Sequence, residues 1–175
     1  KKDNSNFRIV IQNVTGTINN IRTVYSCVLH KKHLTNNSLH NLYIGENDNQ
    51  LFYYLALLNS FVVDWQARIK VATNLNKFIL DSFWLMSYNS ADKKLRDRIE
   101  SISFWLSCVC SDYNELKPKF NKVSFKSREE AVIELNVLVA KGYGLSKKDL
   151  EFILSFFDLV DSNLKKKILD KFSKI

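Results

Sequence analysis

The sequence has few of the residues that interrupt regular structure, form cross-links or bind metals. Of its 175 residues, one is proline, four are glycine and three are cysteine. Few sharp turns are therefore expected. Cys27, Cys108 and Cys110 match neither the spacing of a zinc site nor a disulfide framework. We expect structural thiols in a reducing, cytoplasmic compartment.

Long apolar runs are also missing. No stretch approaches the roughly 20 apolar residues of a transmembrane helix, and no charged-then-apolar leader opens the chain. We therefore expect no membrane partner. The chain begins with Lys1 rather than methionine, so we expect a piece of a longer polypeptide. His30, His33 and His40 have no further ligands at compatible spacings and are expected to be loop histidines.

Apolar and basic side chains are present in quantity. Hydrophobic residues make up 46% of the chain and aromatic residues 13%, enough for one well-filled core. The formal net charge of +8 favours an anionic partner, because lysine and arginine displace counterions from a phosphate backbone. The excess charge is spread thinly, so the codon bias of an AT-rich genome accounts for it equally well.

The N-terminal third predicts a small, mostly antiparallel sheet. Phe7 to Val14 alternates apolar and polar residues, and Thr23 to His30 is rich in β-branched and aromatic residues. A third strand is expected around Leu42 to Ile44. Turn-forming residues follow the first strand, and the polar HKKHLTNNS segment precedes the third.

The C-terminal two thirds predict helices. One helix is expected from Asn49 to about Ile69, and a second from Asp92 to Cys110. The predicted fold class is α+β, with the sheet packed against the larger set of helices. We expect residues 1–88 to form an α/β part and residues 89–175 a helical part, within one compact unit.

Cap signals mark the last three helices. Ser127, with Glu130 three residues later, predicts a capping box, and Ser146 predicts the start of the next helix. A terminal helix is expected over Ser162–Phe172.

Three stretches, in this order, carry motifs that occur together in one protein family. They are INNIRTVYSCVL, LLNSFVVDWQARIKVATNLNKFIL and REEAVIELNVLVAKGYGLSKKDLEFIL. They resemble the C-terminal specificity region of bacterial N6-adenine DNA methyltransferases, above all those fused to restriction endonucleases (type IIG-like). The positions that match the pattern are Arg22, Thr23, Asn59, Ser60, Arg68, Asn74, Asn76, Tyr143, Gly144 and Leu145.

The chain departs from this family at two places. The family usually has a Leu-Pro-x-Pro segment after its Asn-containing step, whereas this chain continues with Asp81, Ser82 and Phe83. The acidic residue usual in the closing helix is replaced by Asn136.

The resemblance implies sequence recognition without chemistry, and it makes residues 1–88 the expected target-recognition part. The family's catalytic tetrapeptide, Asn/Asp-Pro-Pro-Tyr/Phe, is excluded because Pro118 is the single proline. An acidic pair followed by a Glu-x-Lys nuclease signature is missing too. We therefore expect no catalytic residue and no cofactor in this chain. S-adenosylmethionine, with Mg²⁺ as a second candidate, would belong to the parent enzyme, whose methyltransferase domain on the same polypeptide is an expected partner.

Double-stranded DNA is the other expected partner. Asparagine suits the major-groove edge of adenine, arginine and lysine suit guanine, and flanking cations contact phosphates. We expect such side chains in the first loops and at the helix-to-strand step after residue 67. The candidate DNA-binding residues are Arg22, Lys31, Lys32, His33, Arg68, Lys70, Asn74, Asn76 and Lys77.

Each candidate also has a structural interpretation. Asn59 and Ser60 are favoured as backbone-bonding or domain-docking residues, and Asn74 and Asn76 fit a turn held by side-chain bonds.

The alternative function is a helical protein-interaction module that docks onto a partner subunit. Its anchors would be Trp84, Trp105, Phe156 and Phe157. A small stand-alone enzyme has little support, because no nucleophile, base and orienting group occur as a set.

Overall fold

A computed structural model describes residues 6–17, 19–44, 47–120 and 122–174. The predicted α+β fold is confirmed. The sheet has three antiparallel strands in the order β2-β1-β3, where β1 is Phe7–Gln12, β2 is Ser26–His30 and β3 is Leu39–Leu42. The third strand therefore lies earlier than the predicted Leu42 to Ile44. β3 pairs with β1 from Gln12 opposite Leu39 to Ile9 opposite Leu42. This pairing fixes the bounds of the strand, whereas the prediction had relied on where the apolar residues lie.

The connection between β2 and β3 crosses the sheet. Both strands run antiparallel to β1, with His30 opposite Phe7 at one end and Leu39 opposite Gln12 at the other. Segment 31–38 therefore passes over the sheet face opposite the core. Arg8 is buried on that face and donates to the His33 carbonyl at 2.5 Å and to Asn41 Oδ1 at 2.7 Å. These bonds hold the crossing segment against the sheet.

The helix predicted from Asn49 to Ile69 is divided in two. Helix α1 is Asp48–Leu58 and α2 is Phe61–Arg68. Ser60 has extended backbone angles and N-caps α2, because its hydroxyl accepts from the Val63 amide at 3.3 Å. The apolar period continues across the break, which is why the pattern predicted one helix.

The break is fixed by a contact from a distant helix. The Phe61 amide, at the first turn of α2, donates to Asn136 Oδ1 at 2.8 Å. Asn136 is buried, and its amide nitrogen donates to the Val132 carbonyl at 2.9 Å. Asn136 therefore joins α2 to the helix that carries Asn136.

The remaining chain is helical over most of its length. The further elements are α3 (Lys77–Asp81), α4 (Lys93–Ser107), a 3-10 helix (Ser111–Lys119), α5 (Arg128–Gly142), α6 (Lys147–Ser155) and α7 (Ser162–Phe172). The predicted bounds of α7 are confirmed. Helix α4 is shorter than the predicted Asp92 to Cys110, because Asp92 caps it and it ends at Ser107.

The two predicted cap signals differ in detail. Ser127 accepts from the Glu130 amide at 3.1 Å, but the Glu130 carboxylate accepts from the Lys126 amide, so the predicted capping box is half formed. Ser146 forms a full capping box with Asp149.

The core centres on α1. Leu51, Phe52 and Leu55 have no exposed surface, and the cluster of buried side chains extends from Phe7 in the sheet to Phe172 in α7. The helices within the described ranges are all too short or too polar to cross a membrane.

Candidate nucleic-acid interface

The helix-to-strand step predicted after residue 67 is instead a loop between α2 and α3, in which Asn74 makes an isolated bridge to Val14. The loop forms a corner on the surface, which we define as residues 73–77. Its backbone is fixed to the end of β1: the Thr15 amide donates to the Thr73 carbonyl at 3.0 Å, and the Leu75 amide donates to the Asn13 carbonyl at 2.8 Å. Leu75 is fully buried, and His40 Nε2 lies 2.7 Å from its carbonyl oxygen. The corner is therefore a rigid feature.

Two asparagine side chains project from this corner without protein partners. Asn74 and Asn76 are exposed, and neither amide group bonds to any residue that the structure describes. Asn76 occupies the N-cap position of α3 but its side chain makes no capping bond. The predicted alternative, in which these side chains fix the turn, is therefore wrong, because backbone bonds and Leu75 hold it instead.

Lys77 ends the corner, and Lys70 precedes it in the chain. Lys77 is exposed and pairs with Asp81 one helical turn later at 2.5 Å, a surface pair of small energy. Lys70 Nζ donates to Ser82 Oγ at 2.9 Å. Both side chains can exchange these contacts for a phosphate at little cost, because each contact is exposed to water.

The first-loop candidates lie at the opposite end of the sheet. The Lys31 amide donates to the Asn6 carbonyl at 2.8 Å, beside the start of β1, whereas the corner adjoins its end. β1 has six residues, so the two sets lie about 20 Å apart along the strand. Lys32 and His33 are exposed, and the Lys31 ammonium lies 5.9 Å from the centre of the Tyr43 ring.

Arg22 is used inside the protein. Its Nε donates to Asp64, and its Nη2 donates to the carbonyls of Asn59 at 2.8 Å and Ser60 at 2.9 Å. Its guanidinium carbon lies 4.5 Å from the centre of the Phe61 ring. The sequence predicted a DNA contact for Arg22. In this conformation its guanidinium instead links the segment before β2 to the break between α1 and α2. Ile18, in the same motif, lies outside the described residues.

Arg68 has a similar position. Nη1 donates to the Phe156 carbonyl at 2.9 Å and Nη2 to the Asn20 carbonyl at 2.7 Å. The guanidinium carbon lies 4.5 Å from the centre of the Phe157 ring. Arg68 therefore joins α2 to the turn before β2 and to the end of α6, rather than pointing towards a ligand.

Asn59 and Ser60 have the structural roles that the sequence favoured. Asn59 Nδ2 donates to the Ser26 carbonyl at 3.1 Å and its Oδ1 accepts from Ser26 Oγ at 3.1 Å, which docks the end of α1 on β2. Ser60 Oγ donates to the Leu57 carbonyl at 2.7 Å.

Sequence reasoning missed the acid at the centre of this network. Asp64 has no exposed surface and accepts from the amides of Thr23 at 2.9 Å and Val24 at 3.3 Å besides Arg22. An acid among the apolar residues of FVVDWQA was the available signal, because a charge on a buried helix face requires a partner.

The proposed docking anchors are not equally accessible. Trp84 is 66% exposed, whereas Phe157 is fully buried with its ring centre 4.8 Å from that of Phe61. Phe156 and Trp105 are partly buried. Of these four, Trp84 presents the largest exposed fraction to a partner.

A cysteine side chain can serve as a metal ligand or as a reactive thiol. Within the described ranges, no three His, Cys, Asp or Glu residues are placed to hold a metal ion. Burial raises the pKa of Cys27, and burial together with the neighbouring Cys110 raises the pKa of Cys108 to about 12. Both thiols are therefore protonated at neutral pH.

Comparison of the chain with protein families, with curated proteins and with solved structures found no match.

Proposed function

We propose that this chain is the target-recognition part of a site-specific adenine DNA methyltransferase of the fused restriction-modification type, and that it binds duplex DNA. The observation that carries the proposal is the corner at residues 73–77. Asn74 and Asn76 present unpaired amides there on a backbone that is held by hydrogen bonds and by buried Leu75. Such amides can bond to the base edges of DNA without breaking a contact with the residues that the structure describes.

The chemistry of the corner suits the major groove. An asparagine amide donates and accepts at once, which matches N7 and the N6 amino group of adenine. Lys77 and Lys70 beside it supply charge for phosphates, which set the position of the protein along the duplex. A base-reading group gains specificity from a fixed backbone, because less freedom is lost on binding.

In this proposal the chain selects the site and the rest of the polypeptide performs the reaction. The methyltransferase domain would bind S-adenosylmethionine and take up the flipped adenine. Arg22 and Arg68 contribute indirectly, by holding α2 and thereby the segment that follows it.

The first prediction concerns salt. Binding of a fluorescently labelled duplex, followed by anisotropy, is expected to weaken steeply as salt rises, because phosphate contacts dominate. With about three phosphate contacts, affinity should fall roughly 40-fold between 50 and 200 mM salt. A salt-insensitive titration, or no binding at 50 mM salt, would count against the proposal.

A matched pair of variants locates the interface. Asn76→Ala with Lys77→Ala should weaken DNA binding, whereas Asn163→Ala with Lys166→Ala, which removes the same residue types from the exposed face of α7, should not. Equal losses in both variants would leave the corner without a special role.

One observation favours the alternative function of partner docking. Trp84 is 66% exposed, and large exposed aromatic residues are frequent anchors of interfaces. Trp84→Ala should then abolish partner binding and leave DNA affinity unchanged, while the corner variant should do the reverse.

A further inference from the structure

The surface also has a cavity whose lining residues, between positions 104 and 128, are separate from the corner. The cavity has a volume of about 730 Å³ and lies between the end of α4, the 3-10 helix and the start of α5. Its apolar floor includes Phe104, Trp105 and Phe120. The rings of Phe104 and Phe120 are stacked with centres 4.6 Å apart, and both contact Phe52 of α1 edge-on. The floor is therefore part of the packed core and has a fixed shape.

The rim of this cavity is basic. Lys117, Lys122 and Arg128 line it, and none of the described lining residues is acidic. Arg128 Nη1 donates to the Leu106 carbonyl at 2.7 Å, which holds the guanidinium against the last turn of α4. Lys117 and Lys122 make no hydrogen bond or ion pair with any part of the chain that the structure describes.

The combination selects one kind of ligand. Cavities of about 300–1,000 Å³ with an apolar lining and a few polar groups are typical of small-molecule sites. A neutral apolar molecule would leave the cations at the rim without a counter-charge, and a small hydrophilic anion would leave the aromatic floor uncovered. A molecule with an apolar body and one anionic head satisfies both surfaces.

We propose that this cavity binds an amphipathic anion, with its aliphatic or aromatic body on Phe104, Trp105 and Phe120 and its carboxylate or phosphate head at Lys117, Lys122 and Arg128. The two head groups share this chemistry, and experiment distinguishes them. The site shares no residue with the corner at 73–77, so it does not depend on the DNA-binding proposal.

The test uses decanoate and monodecyl phosphate, each titrated against 8-anilinonaphthalene-1-sulfonate bound to the whole chain. Both anions, or one of them, should displace this fluorescent probe, whereas decyltrimethylammonium, with the same body and opposite charge, should not. Displacement by decanoate alone identifies a carboxylate site, and displacement by monodecyl phosphate alone identifies a phosphate site. Equal displacement by the cation, or none by either anion, would overturn the proposal.

Charge reversal at the rim gives an independent readout. Lys117→Glu with Lys122→Glu should weaken anion binding roughly ten-fold or more, because two attractive charges become repulsive. Lys147→Glu with Lys148→Glu makes the same change in net charge on exposed residues of α6 and should leave binding unchanged. Near-ultraviolet circular dichroism verifies that both variants are folded. Equal affinities in the two variants would contradict the assignment.

Discussion

Asp64 is a fully buried carboxylate that accepts hydrogen bonds from three different residues. Its side chain lies on α2, and all three donors precede β2. A buried charge of this kind is stable because its hydrogen-bonding capacity is used and an opposite charge is adjacent. The interaction therefore ties the first turn of α2 to the sheet.

Asp64→Ala is expected to lower the free energy of unfolding by about 3–5 kcal/mol, because Arg22 and two buried backbone amides lose their acceptor. Urea denaturation followed by circular dichroism measures this change. Asp81→Ala removes an exposed acid and should change the free energy by no more than about 0.5 kcal/mol. Similar values for both variants would contradict the role given to Asp64.

The pKa values of two other carboxyl groups, Glu134 and Glu100, are shifted in opposite directions, so their contributions to the free energy of unfolding should change with pH in opposite directions. Burial alone would raise the pKa of Glu134, but hydrogen bonds from Arg98 and Lys171 outweigh it and lower the pKa. The resulting stabilisation is present above the unfolded pKa, near 4.5, and is lost as pH falls through the lower folded pKa. Glu134→Gln should therefore destabilise the protein at pH 7, and the difference from wild type should narrow below pH 4.5 in urea denaturation.

Glu100 provides the contrast for that experiment. Burial raises its pKa, against the lowering effect of hydrogen bonds from Asn49 and Tyr88. Ionisation of Glu100 therefore opposes folding increasingly as pH rises from the unfolded pKa through the folded one. The free energy of unfolding of Glu100→Gln relative to wild type should rise between pH 4 and pH 7. The same trend in both variants would contradict these assignments.

Residue types alone did not predict the contacts that Arg22 and Arg68 make within the protein. Their guanidinium groups contact carbonyls and rings from other parts of the chain. The Phe156 carbonyl that accepts from Arg68 lies just after α6 and is 88 residues away in sequence. No local pattern contains that information, because the two residues meet only when α2 packs on α6.

At the scale of elements, the break between α1 and α2 is the main difference between expectation and structure. Ser60 starts a new helix with its hydroxyl, and the buried Asn136 accepts from the Phe61 amide. The break leaves the carbonyls of Asn59 and Ser60 free to accept from the Arg22 guanidinium. Caps with local partners, such as Ser146, were predictable because all their atoms lie within four residues.

Ser60→Ala should destabilise the protein by about 1–2 kcal/mol, because α2 loses its N-cap in a buried position. Thermal or urea denaturation measures the change. Ser155→Ala removes an exposed hydroxyl that bonds one turn back and should cost no more than about 0.5 kcal/mol. A loss of less than 0.5 kcal/mol at Ser60 would show that Asn136 alone maintains the break.

At the scale of the whole molecule, the sheet and the helices share one set of buried side chains. The core cluster extends across the predicted boundary at residue 88, with α1 packed between the sheet and α4. Unfolding one part would expose the apolar face of the other, which costs free energy in proportion to the area exposed.

The chain should therefore unfold in a single transition. Tryptophan fluorescence and far-ultraviolet circular dichroism should report the same urea midpoint, because the tryptophans lie in different parts of the chain while helices occupy most of it. Separate midpoints would show that residues 1–88 and 89–175 fold independently.

The sequence by itself determined the α+β class, the presence of β1 and β2, the bounds of α7 and the apolar faces that form the core. These features depend on alternation, helical spacing and caps, whose interacting atoms are close along the chain. The predicted strands Phe7 to Val14 and Thr23 to His30 were longer than the β1 and β2 that form, because pairing ends at Gln12 and begins at Ser26. Only the tertiary structure decided that Arg22 and Arg68 bind backbone carbonyls and that Lys31 to His33 lie at the other end of the sheet from the corner. It also decided that the side chains of Asn74 and Asn76 bond to none of the residues that the structure describes. Each of these depends on contacts between segments far apart in sequence, which exist only once the core has packed.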